Sequence, residues 1–256
     1  MKNEPSRGVA AIEKSLELFL SLLDDAGRTP LSAQAKRLGL PISTAQRIVA
    51  AFVRSGLLSR VERGRYAAGL RLAGMASAGD VRQVLVAAGR PLLRRLAREI
   101  GTTVHLGVLE GDMVTYLVKE HGGGPPVLTR EMIQLEAYCS GIGKVLLAHL
   151  DDAARDAYLA AGPFVALTDK TTTDPDALRA VLGRIRAQGY AVDDAELEDD
   201  LYCLAVPVRG PGGEVLAALS ASSRSNAPID PALLGRLQTC ATSVERRLGR
   251  PGPRPT

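Results

Sequence analysis

The chain has three cysteines, three histidines and no apolar run of bilayer-spanning length. Cys139, Cys203 and Cys240 lie far apart with no Cys-x-x-Cys pair, which argues against a disulfide framework or a structural zinc site. His105, His121 and His149 form no His-x-x-x-His pair, so no metal centre is expected of them. A Gly-x-Ser-x-Gly elbow and a dinucleotide fingerprint are both missing, and Lys144 lacks the four-residue gap between glycines that a phosphate loop requires. No cofactor is expected. The start, MKNEPSRGVAAIEK, lacks the apolar stretch of a signal peptide, so the expected location is cytoplasmic, without a membrane partner.

What the chain does have is apolar content for packed cores, 46% over 256 residues, more than one domain usually needs. Its charge is uneven. Residues 1–75 hold 12 Lys and Arg against 6 Asp and Glu, and the remainder holds 20 against 22. A basic excess at one end is what a phosphate-binding surface requires, although a solvated basic face has the same composition.

The basic end reads as a winged helix-turn-helix. A first helix, Val9 to Asp25, carries Ile12, Leu16, Phe19, Leu20 and Leu23 at core spacing and ends at Gly27. Ser32 can cap a second helix, which Gly39 stops. A third is expected from Ser43, where Ser-x-x-Gln with Gln46 matches a capping box. Ala45, Ile48, Val49, Phe52 and Val53 form its buried stripe, leaving Thr44, Arg47, Ala51 and Arg54 opposite. Small residues and arginines on such a face suit a major groove, where arginine pairs bidentately with guanine. Beyond it, Glu62-Arg63-Gly64 turns a hairpin whose Arg60, Arg63 and Arg65 are expected to position the backbone of double-stranded DNA rather than read sequence.

From Ala76 to Ile100 the pattern is again helical, with Pro91 interrupting it. Strands are expected at Thr102 to Leu109, Met113 to Glu120, Tyr190 to Val192, Leu201 to Arg209 and Val215 to Ser223. Helices are expected after Ser140 and near Asp151 to Ala160, Pro175 to Gln188 and Pro231 to Gly249. Strand pairs interleaved with helices predict an α+β domain with a mainly antiparallel sheet. The expected organisation is therefore a DNA-binding domain at 1–75, a linking helix region at 76–100, a second domain at 101–249, and a disordered, proline-rich tail at 250–256.

Cys139-Ser140-Gly141-Ile142-Gly143-Lys144 opens a helix with small residues, so its first amides are open to an anion such as a carboxylate. Asp193, Cys203, Ser220 and Ser222 can complete a pocket there. Ser220 and Ser222 share one strand face, and spacing alone favours two satisfied hydroxyls in a sheet over ligand contacts. An enzyme acting on a small acid through Cys139 and a histidine, with the N-terminal module serving association, is the competing class. The acidic cluster Asp193, Asp194, Glu196, Glu198, Asp199 and Asp200 reads as a solvated loop at the pocket mouth.

Several motifs in order carry a family resemblance. A winged helix-turn-helix and a linking helix are followed by Gly-Ile-Gly-Lys-Val-Leu-Leu-Ala, Ile-Arg-Ala-Gln-Gly-Tyr-Ala-Val-Asp-Asp and Cys-Leu-Ala-Val-Pro-Val. Over about Val9 to Leu248 the chain resembles the IclR family of bacterial transcriptional regulators. That resemblance implies a GAF-like effector domain, a small organic or aromatic acid as effector, and homodimers that often pair into tetramers. It also implies that the Gly141 and Ile142 amides, Asp193, Cys203, Ser220 and Ser222 line the effector pocket, and Ser140, at the helix entry, is counted with them as a candidate contact. Lys14 stands where many members carry arginine, and meets a phosphate without a bidentate fork. Tyr138, ahead of the pocket helix, can stack on an aromatic ligand or belong to the core.

Overall fold

The computed structural model describes residues 7–72, 81–224 and 231–249, which fall into two compact units, Met1–Asp80 and Val81–Thr256. The tail at 250–256 and the start of the expected linking helix at 76–80 lie outside the described residues.

In the first unit, helices α1 (Arg7–Asp25), α2 (Leu31–Arg37) and α3 (Ile42–Arg54) precede a hairpin of β1 (Leu58–Glu62) and β2 (Arg65–Ala68). Leu18 and Leu22 of α1, Leu31 and Ala35 of α2, Ala45 and Val49 of α3, and Leu58 of β1 make one core. Two expectations about helix starts change. Prolines 30 and 41, with extended backbones, occupy the cap positions of α2 and α3, and neither helix has a side-chain cap. The Pro41 carbonyl takes the first helical bond, from the Ala45 amide at 3.0 Å, so α3 begins ahead of Ser43. Ser43 and Gln46 are thereby left exposed on the helix surface instead of closing a capping box. On α1 the buried stripe passes through Leu18 and Leu22, whereas Ile12, Leu16 and Leu20 are 62%, 50% and 57% exposed. Two apolar stripes run along this helix, and the three-helix core covers only one of them. Gly64, at φ 76°, turns the hairpin, and its carbonyl accepts the Leu31 amide at 2.8 Å, tying the turn to the start of α2.

The second unit is built on a six-stranded antiparallel sheet in the order β5-β4-β3-β8-β7-β6. Its strands are β3 (Thr103–Glu110), β4 (Met113–His121), β5 (Gln134–Glu136), β6 (Ala191–Asp194), β7 (Tyr202–Arg209) and β8 (Val215–Ser223). Helices α4 (Val81–Ile100) and α8 (Pro231–Arg247) bury Leu85, Leu93, Leu96, Leu237 and Val244 against Val104, Leu106, Leu204, Val206 and Leu219 on one face. Helix α4 runs unbroken through Pro91. Against the other face lies α5 (Gly141–Ala148), whose Ile142, Val145 and Leu147 share a core with residues of α6 (Asp152–Ala160) and α7 (Pro175–Gln188). Asp151 and Asp174 cap α6 and α7 through the amides of Ala154 and Ala177, and Gly189 ends α7 in the left-handed region.

Two close approaches seat α5. Gly141 lies over the sheet, where an added Cβ would meet the Cβ atoms of Cys203 and Ala205 at 3.4 Å and that of Asp193 at 3.7 Å. At Gly143 an added Cβ would sit 2.1 Å from the Ala137 carbonyl oxygen, a backbone atom that cannot swing aside. Gly143→Ala is therefore expected to destabilise the second unit by about 3 kcal/mol or more. Thermal unfolding measures this, and an unchanged melting temperature would contradict the seating of α5.

Candidate functional site

The first unit presents a groove of about 730 Å³ lined by Lys14 of α1 with Thr44, Arg47, Ala51 and Arg54 of α3. Ser43, Thr44, Gln46, Arg47 and Arg54 are all exposed along α3, so every expected contact of that helix points outward. On the hairpin, Arg63 is exposed at the turn, whereas Arg60 Nε donates to the Glu62 carbonyl at 3.2 Å and Arg65 lies 3.7 Å from the Glu62 carboxylate. A further group escaped sequence reasoning. Gln34, buried in α2, accepts from Ser21 at 2.6 Å and from Arg37 at 2.6 Å, and donates to Thr29 at 2.8 Å. This network fixes α2 against α1 beneath α3, using polar residues that in sequence look like surface.

In the second unit, register brings the expected pocket residues together. Asp193, Cys203, Ser222, Thr103 and His121 are successive partners across β6, β7, β8, β3 and β4. Two residues along, on the same face, come Ala191, Ala205, Ser220, His105 and Lys119. Cys203 Sγ donates to Ser222 Oγ at 3.2 Å, Ser222 Oγ lies 3.4 Å from His105 Nδ1, and Thr103 Oγ1 lies 3.1 Å from His121 Nδ1. Asp193, Ser220, Ser222, Thr103 and His105 are all buried. Over this polar face stands the start of α5. Ser140 caps it, its Oγ accepting the Gly143 amide at 3.1 Å and its carbonyl the Lys144 amide at 2.9 Å. The first-turn amides of Gly141 and Ile142 have no acceptor within their own helix.

Asp193 Oδ1 accepts the Glu196 amide at 2.9 Å, but its Oδ2 is buried with no protein partner, as is Glu196 Oε2. The acidic cluster is thus not a uniformly solvated loop. Asp193 belongs to the sheet face, and Glu196 pairs with buried Lys144, whose Nζ also reaches the Val192 carbonyl at 3.0 Å. Lys144 is therefore committed to these contacts at the end of β6, beside Asp193. Tyr138 is placed in the core. Its ring packs on Phe164, 4.9 Å between centroids, and its hydroxyl donates to the Val165 carbonyl at 2.6 Å.

Burial decides the charges here. It raises the Cys203 thiol well above its ordinary range and, with Lys119 adding repulsion, lowers His105 to about 3, so both are neutral near pH 7. His105 and Thr103 went unrecognised as site residues in sequence, although polar residues at alternate positions in an otherwise apolar strand are the signal that would have found them.

The chain matches the C-terminal domain of the bacterial transcriptional regulator IclR over residues 80–246 and the IclR helix-turn-helix domain over residues 11–62. It belongs to the IclR family. It is similar to the HTH-type transcriptional regulator XynR of Escherichia coli strain K12, at 29% identity over 95% of this chain and 98% of that protein. Another relative, the HTH-type transcriptional regulator BhcR of Paracoccus denitrificans, is 34% identical over 86% of this chain and 79% of that protein. Among solved structures, an IclR homologue from Microbacterium hydrocarbonoxydans complexed with 4-hydroxybenzoate is 29% identical. It has a TM-score of 0.63 and covers 93% of this chain and 99% of its own.

As an IclR-family protein, the chain is a DNA-binding transcriptional regulator with an effector-binding domain, and not an enzyme. The competing reading through Cys139 finds no support among these relatives, and chemistry agrees with them. Cys139 is fully buried, and burial first, then Asp193 and Glu136, push its thiol up to about 12, the reverse of what a nucleophile needs.

Burial also raises the Asp193 carboxyl to about 6 from 3.8, against the opposing pull of Lys144 and the Glu196 amide. A raised pKa means that the fold prefers the protonated acid. The contribution is complete below pH 3.8 and is lost as pH rises through 6. Asp193→Asn, which keeps an acceptor for the Glu196 amide, is expected to gain roughly 2–3 kcal/mol over the wild type at pH 8 and nothing at pH 3.5. Urea unfolding at the two pH values checks this, and an equal gain at both would remove ionisation as its cause.

Proposed function

We propose that this regulator senses a small organic acid on the polar face beneath α5 and changes operator binding or promoter activity in response. The observation that carries this reading is the alignment of Asp193, Cys203 and Ser222, with Ser220 one row away, under the first turn of α5, whose Gly141 and Ile142 amides have no acceptor within the helix. The amides and the helix dipole favour a carboxylate. Asp193 Oδ2, buried without a partner, calls for a donor such as a hydroxyl. A hydroxy acid satisfies both, and 4-hydroxybenzoate, bound in the Microbacterium homologue, is the first compound to try. Tyr138 contributes packing, so preference for an aromatic acid does not rest on it. Ser140 acts through its cap, shaping the helix start.

On the DNA side, Arg47 with Ser43, Thr44, Gln46 and Arg54 reads the major groove, and Lys14, Arg60, Arg63 and Arg65 position the phosphate backbone. The protein acts as a homodimer, with tetramers as dimers of dimers. The exposed stripe of Ile12, Leu16 and Leu20 on α1 supports pairing of heads, since a contiguous exposed apolar stripe suits a protein–protein contact. Action on the genome places the protein in the cytoplasm. Among the described residues no helix is long and apolar enough to cross a membrane.

Effector and operator couple reciprocally, so an acid that changes operator affinity must itself bind more tightly or more weakly when DNA is present. Calorimetric titration with 4-hydroxybenzoate, with and without operator DNA, tests this. Ser222→Ala and Asp193→Ala variants that fold are expected to lose at least tenfold in acid affinity, and retained affinity in both would place the ligand elsewhere. On the operator, Arg47→Ala should cost roughly 1–3 kcal/mol and relax specificity at one position. Arg63→Ala should weaken all sequences alike and lower the salt slope by about one contact. Fluorescence anisotropy over a salt series separates the two, and unchanged affinity in both variants would contradict the assignment.

A further inference from the structure

Residues 127–131 form a strap that touches the effector face at one end and α4 at the other. Val127 is buried with Leu201 and Cys203. Inside, Lys119 Nζ donates to the carbonyls of Val127, at 2.6 Å, and Thr129, and His105 Nε2 lies 2.7 Å from Thr129 Oγ1. Outside, Arg90 of α4 makes a two-pronged bond to Glu131 at 2.7 and 3.0 Å. Glu131 also accepts the Lys119 amide at 3.1 Å. Helix α4 starts at Val81, the first residue after the DNA-binding unit.

His105 is the hinge of this arrangement. It stands between Ser222 and the strap, 1% exposed, with Tyr116 set edge-on at 5.1 Å. Its two nitrogens are unequally satisfied. The contact to Thr129 is short, whereas the 3.4 Å contact to Ser222 exceeds the range of a good hydrogen bond. A neutral imidazole offers one donor and one acceptor, so a ligand that displaces Ser222 from Nδ1 can be read by its own pattern of donors and acceptors.

We propose that His105 is a further effector-binding residue that discriminates among acids, and that a ligand drawing on it moves the 127–131 strap and so acts on α4 through Glu131 and Arg90. This rests on the effector reading above. Coupling by this route needs no long path. A single side chain contacts the proposed ligand contact and the strap, and the strap carries the ion pair to α4, which follows the DNA-binding unit in sequence.

The test uses the full-length protein with 4-hydroxybenzoate, benzoate and pyruvate as probes, measuring acid affinity by calorimetry and operator affinity by anisotropy with and without acid. His105→Phe should lower affinity for the best acid at least tenfold. His105→Gln, which keeps a donor and an acceptor, should recover most of it while changing the preference for 4-hydroxybenzoate over benzoate severalfold. Arg90→Met leaves the effector face intact, so it should bind acid within twofold of wild type but lose most of the acid-dependent change in operator affinity. Should His105→Phe fail to fold, His105→Gln and Arg90→Met decide the matter. Wild-type acid preference in the histidine variants, or a full operator response in Arg90→Met, overturns the inference while the effector reading stands. Wild-type protein that binds none of the three acids overturns both.

Discussion

The buried pairing of Lys144 with Glu196 is the constraint on which the second unit's site depends. An ammonium group taken out of water costs several kcal/mol unless its hydrogen bonds are replaced. Here the Glu196 carboxylate and the Val192 carbonyl replace them. One end of the pair sits on α5 and the other on the turn after β6, so satisfying it fixes how far α5 lies from the sheet edge. The turn is held from its far side as well, because Thr168 and Thr171 donate to the carbonyls of Ala195 and Glu196, both at 2.7 Å. Gly141 and Gly143 permit the approach, and the pair makes it specific. With α5 so placed, its first turn at Gly141 lies over Asp193 and Cys203.

The polar face beneath α5 shows how an antiparallel sheet can gather polar side chains from distant parts of the chain. Each strand contributes one or two side chains, and all face the same way because register and the two-residue alternation agree across five strands. The opposite face takes the remaining residues, nearly all aliphatic, against α4 and α8. A sheet buried on both faces can then be apolar on one side and hydrogen-bonding on the other without exposing either. The same division leaves α4 in touch with both sides of the sheet. It packs on the back of the strands that carry the site, and through Arg90 it also holds the strap crossing the front.

The DNA-binding unit relies on a different economy. Its core is small, and polar contacts complete it, with Gln34 joining α1 and α2 and the Gly64 carbonyl joining the hairpin to α2. Capping by proline backbone instead of by Ser32 and Ser43 leaves the first turn of α3 with its hydroxyl and amide side chains free on the surface. Those are the side chains a groove-reading helix uses.

Local sequence determined a good deal of this protein: the order of helices and strands, the wing, the small-residue entry to α5 and the basic end, because periodicity, glycine and charge act over a few residues. It did not determine which of two apolar stripes on α1 is buried, since Ile12 and Leu18 differ only in what packs against them. Family motifs pointed to Asp193, Cys203, Ser220 and Ser222, whose spacing alone was silent. Only tertiary structure decided that Tyr138 belongs to an aromatic core, that Lys144 is held in an ion pair, and that His105 lies beside Ser222 on the polar face. Each of those assignments depends on contacts with residues far away in the chain. His105 reaches Ser222 across a strand pairing that brings together residues more than a hundred positions apart, and no local pattern records that meeting.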